Sequence, residues 1–177
     1  MTTPSGPVTW VVVSAAPPAV RIHELLAQLH TDPRLVVVAT TATAAAWIDE
    51  AQVRPFTAWP VRSTPRSHDE PKIHPEPDLV VAAPLTFNTI NKWAAGINDN
   101  PALGVLNEAL GNRIPIIAAP VTNAALAAHP AFARSLDVLA AAGVRLTATN
   151  AIVPASPTDG YHWQPVLDLI AEVTPGT

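Results

Sequence analysis

Asp78-Leu79-Val80-Val81-Ala82-Ala83-Pro84-Leu85-Thr86-Phe87-Asn88-Thr89-Ile90-Asn91-Lys92-Trp93-Ala94-Ala95-Gly96-Ile97 is the stretch on which the reading of the fold turns. Asp78 to Ala83 is apolar after its first residue, the pattern of a strand buried on both faces of a parallel sheet. Pro84 is expected to end that strand. Ile90 to Ile97 then repeats its apolar residues with helical spacing. Two threonines and an asparagine therefore fall at a strand-to-helix junction. There an α/β sheet offers unpaired helix-start amides to an anionic ligand, beyond the carboxyl ends of its strands.

Composition sets the outer limits. With 177 residues, 49% apolar and 14% charged, the chain can bury one sizeable core, and a single unit over 1–177 is expected. The 20 prolines scatter through proposed connections, so they read as stiffened loops and not as a disordered tract. Net charge is −4 and the ten Lys and Arg residues form no cluster, which argues against nucleic acid and against an anionic membrane surface. No apolar run approaches the roughly 20 residues of a membrane helix. The stretch 1–7 lacks the basic start of an export signal and reads as a flexible terminus, so a cytoplasmic protein is expected. The absence of cysteine excludes disulfides, thiolate metal sites and a cysteine nucleophile.

Strand and helix patterns alternate along the chain. Val8 to Val13 reads as a strand and Ala19 to His30 as a helix with Val20, Ile22, Leu25, Leu26 and Leu29 on its apolar side. A strand at Leu35 to Val38 precedes a short helix at Ala44 to Gln52. The stretch 53–77 is proline-rich loop with one short strand near Phe56 to Trp59. Beyond the central strand and helix come a helix at Ala102 to Leu110 closed by Gly111-Asn112, and a strand at Ile114 to Ala119. A helix at Pro130 to Ala142 closed by Gly143, a strand at Val144 to Thr147 and a helix at Trp163 to Val173 complete the chain. This alternation predicts a single-domain, Rossmann-like (flavodoxin-like) α/β fold: a parallel sheet with helices on both faces.

Small polar residues recur where these strands end. Ser14-Ala15-Ala16, Thr40-Thr41-Ala42-Thr43, Thr86-Phe87-Asn88-Thr89 and Pro120-Val121-Thr122-Asn123 would gather on one rim of the sheet. Hydroxyls and backbone N–H groups there can hold a phosphate without a lysine, because aligned peptide dipoles supply the field. Ser, Thr and Asn are also ordinary helix caps, and any one junction taken alone is more often a cap than a ligand site.

The central motif with Asn91-Lys92, Gly96-Ile97 and Asp99-Asn100 resembles the proline-alanine-serine-alanine-asparagine-threonine motif and downstream glycine-x-x-aspartate-asparagine of the FMN-dependent cysteine decarboxylase superfamily. That superfamily includes phosphopantothenoylcysteine decarboxylases and the peptidyl-cysteine decarboxylases of lantibiotic synthesis. The resemblance implies noncovalent FMN contacted by Ser14, Ala15, Ala16, Thr40, Thr41, Thr43, Thr86, Phe87, Asn88, Thr89 and Val121. It implies that Asn88 orients flavin and substrate, and that Asn123, in a run similar to the family's second signature, holds the substrate carboxylate. The family's histidine base falls on His68 if two residues are inserted, with His74 as the other choice. It further implies a flavin between subunits of a trimer, sometimes built into a dodecamer, and a small-molecule or peptidyl substrate.

Several positions depart from the family pattern. The glycine of the first-strand phosphate loop is lost and Pro17-Pro18 intrude, while Ala124 to Ala127 replaces a methionine-tryptophan pair with a smaller aliphatic wall. Pro154 stands where the coenzyme A branch has its reducing cysteine. The resemblance therefore implies oxidative decarboxylation or a related oxidation of a thiol carboxylate, outside the housekeeping coenzyme A reaction. The alternatives are a noncatalytic FMN-binding regulator of the same fold, like the yeast halotolerance proteins, and a dipicolinate synthase-like subunit. His23, His30, His129 and His162 lack partners at ligand spacing, so no metal site is expected.

Overall fold

A computed structural model describes residues 6–31, 34–156 and 159–174. Five parallel strands form one sheet in the order β2-β1-β3-β4-β5: β1 Val8–Val13, β2 Leu35–Thr40, β3 Leu79–Thr86, β4 Ile116–Val121 and β5 Arg145–Leu146. The helices are α1 Ile22–Leu29, α2 Ala42–Ala45, α3 Glu50–Val53, α4 Phe87–Ala94, α5 Pro101–Gly111, α6 Ala124–Ala127, α7 Pro130–Ala141 and α8 Gln164–Val173, with 3-10 turns at Pro17–Arg21 and Arg54–Phe56.

Alternate strand residues feed two separate cores, which is why the strands read as unbroken apolar runs. Val11, Val13, Val36, Val38, Val81 and Ile117 pack with Leu25, Leu26 and Leu29 of α1 and Val166 and Ile170 of α8. On the other face, Trp10, Val12, Val37, Val80 and Ala82 pack with Ile90 and Trp93 of α4, Leu103 and Leu106 of α5 and Phe132 and Leu139 of α7. The chain leaves β1 for one edge and β3 for the other. The crevice between their carboxyl ends is thus the switch point at which such sheets hold ligands.

Several elements differ from the expectation, each for a local reason. Prolines 17 and 18 open a 3-10 turn whose tighter period rotates Val20 outward, where it is 47% exposed. The single helix expected over Ala44 to Gln52 is two, because Thr41 Oγ1 accepts from Ala44 N (3.2 Å) and Asp49 Oδ1 from Ala51 N (3.0 Å), each capping a new start. No strand forms at Phe56 to Trp59; the Thr57 hydroxyl accepts from Trp59 N (3.2 Å) and folds that stretch into a turn. Pairing falls instead at Arg62, whose N–H donates to Val38 O and whose carbonyl accepts from Thr40 N, both 2.9 Å.

Pro84 does not end its strand. The chain passes through a cis Ala83–Pro84 bond to Thr86, and pairing with β4 shifts register between Ala82 and Leu85, the bulge that tolerates a missing donor. Helix α5 ends at Gly111 with Asn112 as its C-cap, as expected, but the left-handed residue that follows is Arg113 (φ 58°), whereas after α7 it is Gly143 (φ 96°). The strands expected at Ile114 to Ala119 and Val144 to Thr147 run over Ile116–Val121 and Arg145–Leu146. Of the terminus 1–7, residues 1–5 lie outside the described residues, and Pro7 O accepts from Leu35 N (2.9 Å). Among the described residues no helix is long and apolar enough to cross a membrane.

Candidate functional site

A cavity of about 1010 Å³ opens along the carboxyl rim of the sheet, and all four polar junctions reach it. Its wall includes Ser14, Ala15, Ala16 and Pro17 after β1, Thr41 to Thr43 after β2, Thr86 to Thr89 after β3 and Val121 to Asn123 after β4. Volumes of roughly 300–1,000 Å³ are usual for small-molecule and cofactor sites. Lys92, Asp99, Asn100, Leu126, Asn150, Val153 and Pro154 complete it.

The side chains at these junctions are already partly committed. Ser14 Oγ donates to Pro84 O (3.0 Å) and accepts from Thr86 N (2.8 Å), while Ser14 N also donates to Pro84 O (3.0 Å). With 1% of its surface exposed, Ser14 joins β1 to β3 where their ladder has ended and holds the rim closed from beneath. Thr86 Oγ1 caps α4, accepting from Thr89 N (3.4 Å) and sharing a hydrogen bond with Thr89 Oγ1 (3.1 Å). Phe87, Asn88 and Thr89 of the first turn of α4 line the cavity, and first-turn N–H groups have no intrahelical partner. Asn88 is exposed there, one residue into the helix.

Asn123 shows that cap and ligand are not exclusive alternatives. Its Oδ1 accepts from Leu126 N (2.9 Å), which fixes the amide plane and leaves the Nδ2 donors for an oxyanion. The loop that carries it is held from a distance: Asn150, at φ 63°, accepts from Thr122 N through Oδ1 and donates to Thr122 O through Nδ2, both 2.9 Å. The Thr122 hydroxyl oxygen is buried at this wall without a partner among the described residues. Beside α4, Lys92 forms an ion pair with Asp99, and Asn100 Nδ2 donates to the other Asp99 oxygen (2.8 Å).

The hydrogen bond from Lys92 holds the Asp99 carboxyl below the usual carboxylate range, helped by Asn100. A depressed value means that the pair stabilises the fold above the ordinary aspartate range, and that this contribution is lost as pH falls through the lowered pKa. We expect the NMR titration of the Asp99 side-chain carbon to have its midpoint below that of a free aspartate and to return upward in Lys92→Met. An unchanged midpoint in the variant would show that Lys92 is not the cause.

Other predicted residues lie elsewhere. Thr40 is fully buried below the rim, its hydroxyl without a partner among the described residues, and does not line the cavity. His68 is exposed on the proline-rich segment and is not part of the cavity wall. His74 lies in a second cavity of about 640 Å³ beneath that segment, where its Nε2 is 3.0 Å from Pro60 O and its ring 5.6 Å from that of Trp10. Among the described residues no group of three or more His, Cys, Asp or Glu could hold a metal ion.

Sequence comparison decides the family. The Flavoprotein family model matches residues 3–174. The chain belongs to the Flavoprotein family. A cysteine/cysteine sulfinic acid decarboxylase of an unknown prokaryotic organism is 42% identical over 66 residues, which cover 37% of this chain and only 18% of that protein. Among solved structures, the FMN-dependent cysteine decarboxylase TvaF from thioviridamide biosynthesis matches with TM-score 0.71 and 29% identity, over 81% of this chain and 91% of TvaF. A PPC decarboxylase variant complexed with pantothenoylaminoethenethiol matches with TM-score 0.73 over 96% of this chain and 97% of its own; at 22% identity it shows the shared fold. This Flavoprotein-family chain thus has the α/β sheet expected of it, with a cavity of about 1010 Å³ at the sheet's carboxyl rim.

Proposed function

We propose that the rim cavity binds FMN noncovalently and that the protein oxidatively decarboxylates a small or peptidyl carboxylate bearing a thiol. The convergence of four strand-end junctions on one cavity is the observation that carries this reading, supported by the likeness to TvaF. The residues present fit the group: helix-start amides and the capping threonines offer donors to a phosphate, and Phe87, Val121 and Leu126 offer apolar wall to a ring system. FMN, when bound, supplies a two-electron oxidant.

The chain's own residues hold the substrate. Asn123 Nδ2 donates to the carboxylate that leaves as carbon dioxide, and Asn88 fixes the angle between substrate and ring. Release of an enethiol needs no reducing thiol, which accords with Pro154 in the wall and with the absence of cysteine, and sets this activity apart from the coenzyme A reaction. We place the base at His68 or His74. Neither lines this cavity, so such a base acts only if a second subunit of a trimer or dodecamer delivers it. That same displacement favours a second reading, a noncatalytic FMN-binding regulator.

Titration with FMN tests the first step, and anaerobic addition of cysteine or a peptide ending in cysteine tests the second. We expect saturable quenching of flavin fluorescence, then bleaching of the bound flavin with release of carbon dioxide. Bound FMN that no cysteinyl compound bleaches would support the regulator. Failure to bind FMN at all would sink both.

A further inference from the structure

Among the described residues that line the rim cavity, Lys92 is the single cationic side chain and Asp99 the single carboxylate. Lys92 stands four residues after Asn88 and three after Thr89, so one face of α4 presents all three to the cavity. The ion pair is half-open to solvent, with the lysine side chain 32% and the aspartate 46% exposed. An exposed pair of this kind contributes little to stability and is readily exchanged. Asp99 also keeps a partner when Lys92 leaves, because Asn100 Nδ2 donates to its other oxygen.

From this arrangement, and resting on the reading of the cavity as an FMN site, we infer that Lys92 is the cavity's oxyanion receptor, parked on Asp99 until a ligand oxyanion displaces the aspartate. That oxyanion is the flavin phosphate or the substrate carboxylate. A phosphate monoester carries about −1.5 to −2 charges near neutral pH, more than the aspartate it replaces. The capping amides direct an anion, and Lys92 adds the full charge that dipoles lack.

Binding of FMN and of riboflavin, measured by fluorescence for the wild type and for Lys92→Met, Lys92→Arg and Asp99→Asn, separates the possibilities. If the phosphate is the partner, Lys92→Met weakens FMN roughly 10- to 100-fold and leaves riboflavin unchanged. If the carboxylate is the partner, FMN affinity holds, and the FMN-loaded variant loses a similar factor for a peptide ending in cysteine but not for its C-terminal amide. In either case Asp99→Asn, which frees the lysine, tightens the same ligand several-fold, and Lys92→Arg retains binding. Unchanged affinities in Lys92→Met, or weakening by Asp99→Asn in parallel with it, would reduce the pair to a structural contact and overturn the inference while the FMN reading stands. Wild-type protein that binds neither flavin overturns both.

Discussion

Trp93→Ala should destabilise the protein by about 3–5 kcal/mol, the usual cost of emptying a large buried aromatic site. In a chain of this size that corresponds to a fall in Tm of roughly 6–20 °C. Trp93 is 1% exposed and packs in the core under α4. The same helix carries Asn88, Thr89 and Lys92 to the cavity, so ligand affinity should fall with stability. Trp93→Phe provides the contrast. The indole Nε1 is buried without a hydrogen-bond partner among the described residues, and an unpaired buried donor costs about 1–3 kcal/mol. Phenylalanine removes that donor and keeps most of the apolar ring, so its net effect should stay within about 2 kcal/mol. Thermal and urea unfolding of both variants checks this. A Phe variant as damaged as the Ala variant would mean that the indole N–H has an acceptor, and an Ala variant that melts with the wild type would refute the packing argument.

The parts of this fold legible in the sequence are those whose causes are local. Val80 to Ala83 reads as a buried strand because both faces of β3 are covered, and Gly143 marks the end of α7 because its φ of 96° is one that L side chains rarely adopt. Pro84 misleads for a nonlocal reason. A proline ends a strand when nothing carries the chain past the gap in its ladder. Here Ser14, 70 residues earlier, donates to the Pro84 carbonyl through both its N–H and its hydroxyl and takes Thr86 N as well. The Phe56 to Trp59 stretch misleads in the opposite way: its aromatic residues suggest a strand, but the Thr57 hydroxyl bonds locally and the edge of β2 is met by Arg62.

The site was legible to the extent that it is built from helix caps. Thr41, Thr86 and Asn123 each cap a helix that starts at the rim, and strand-to-helix punctuation locates them. Ser14 lines the cavity at the end of β1, and its hydroxyl makes two internal hydrogen bonds that brace the rim. Lys92, named in the sequence only as part of the central motif, lines the cavity because it stands one helical turn after Asn88. His68 depends on an alignment through a proline-rich stretch without periodicity, and the fold leaves it away from the cavity. Asn150 had no local signal beyond a residue type that tolerates left-handed backbone; its partner is 28 residues away.

Asn150→Ala is accordingly expected to have the second-largest effect, about 2–5 kcal/mol, from two additive sources. The backbone at φ 63° costs an alanine about 1–2 kcal/mol that asparagine largely avoids by local hydrogen bonding. The two lost hydrogen bonds to Thr122 add roughly 0.5–1.5 kcal/mol each. Asn150→Gly separates the two, because glycine accepts the backbone angle and loses only the clamp, so it should recover about half of the loss. Both variants free the Thr122-Asn123 loop from its side-chain anchor and leave only the backbone bond from Asn150 N to Pro120 O (2.8 Å). The glycine variant, although the more stable, should therefore bind a carboxylate ligand as poorly as the alanine variant, since Asn123 depends on the clamp and not on the φ at position 150. If affinity instead tracked stability across the two variants, the clamp would be a contribution to folding alone, and the position of Asn123 would be set by its cap on α6.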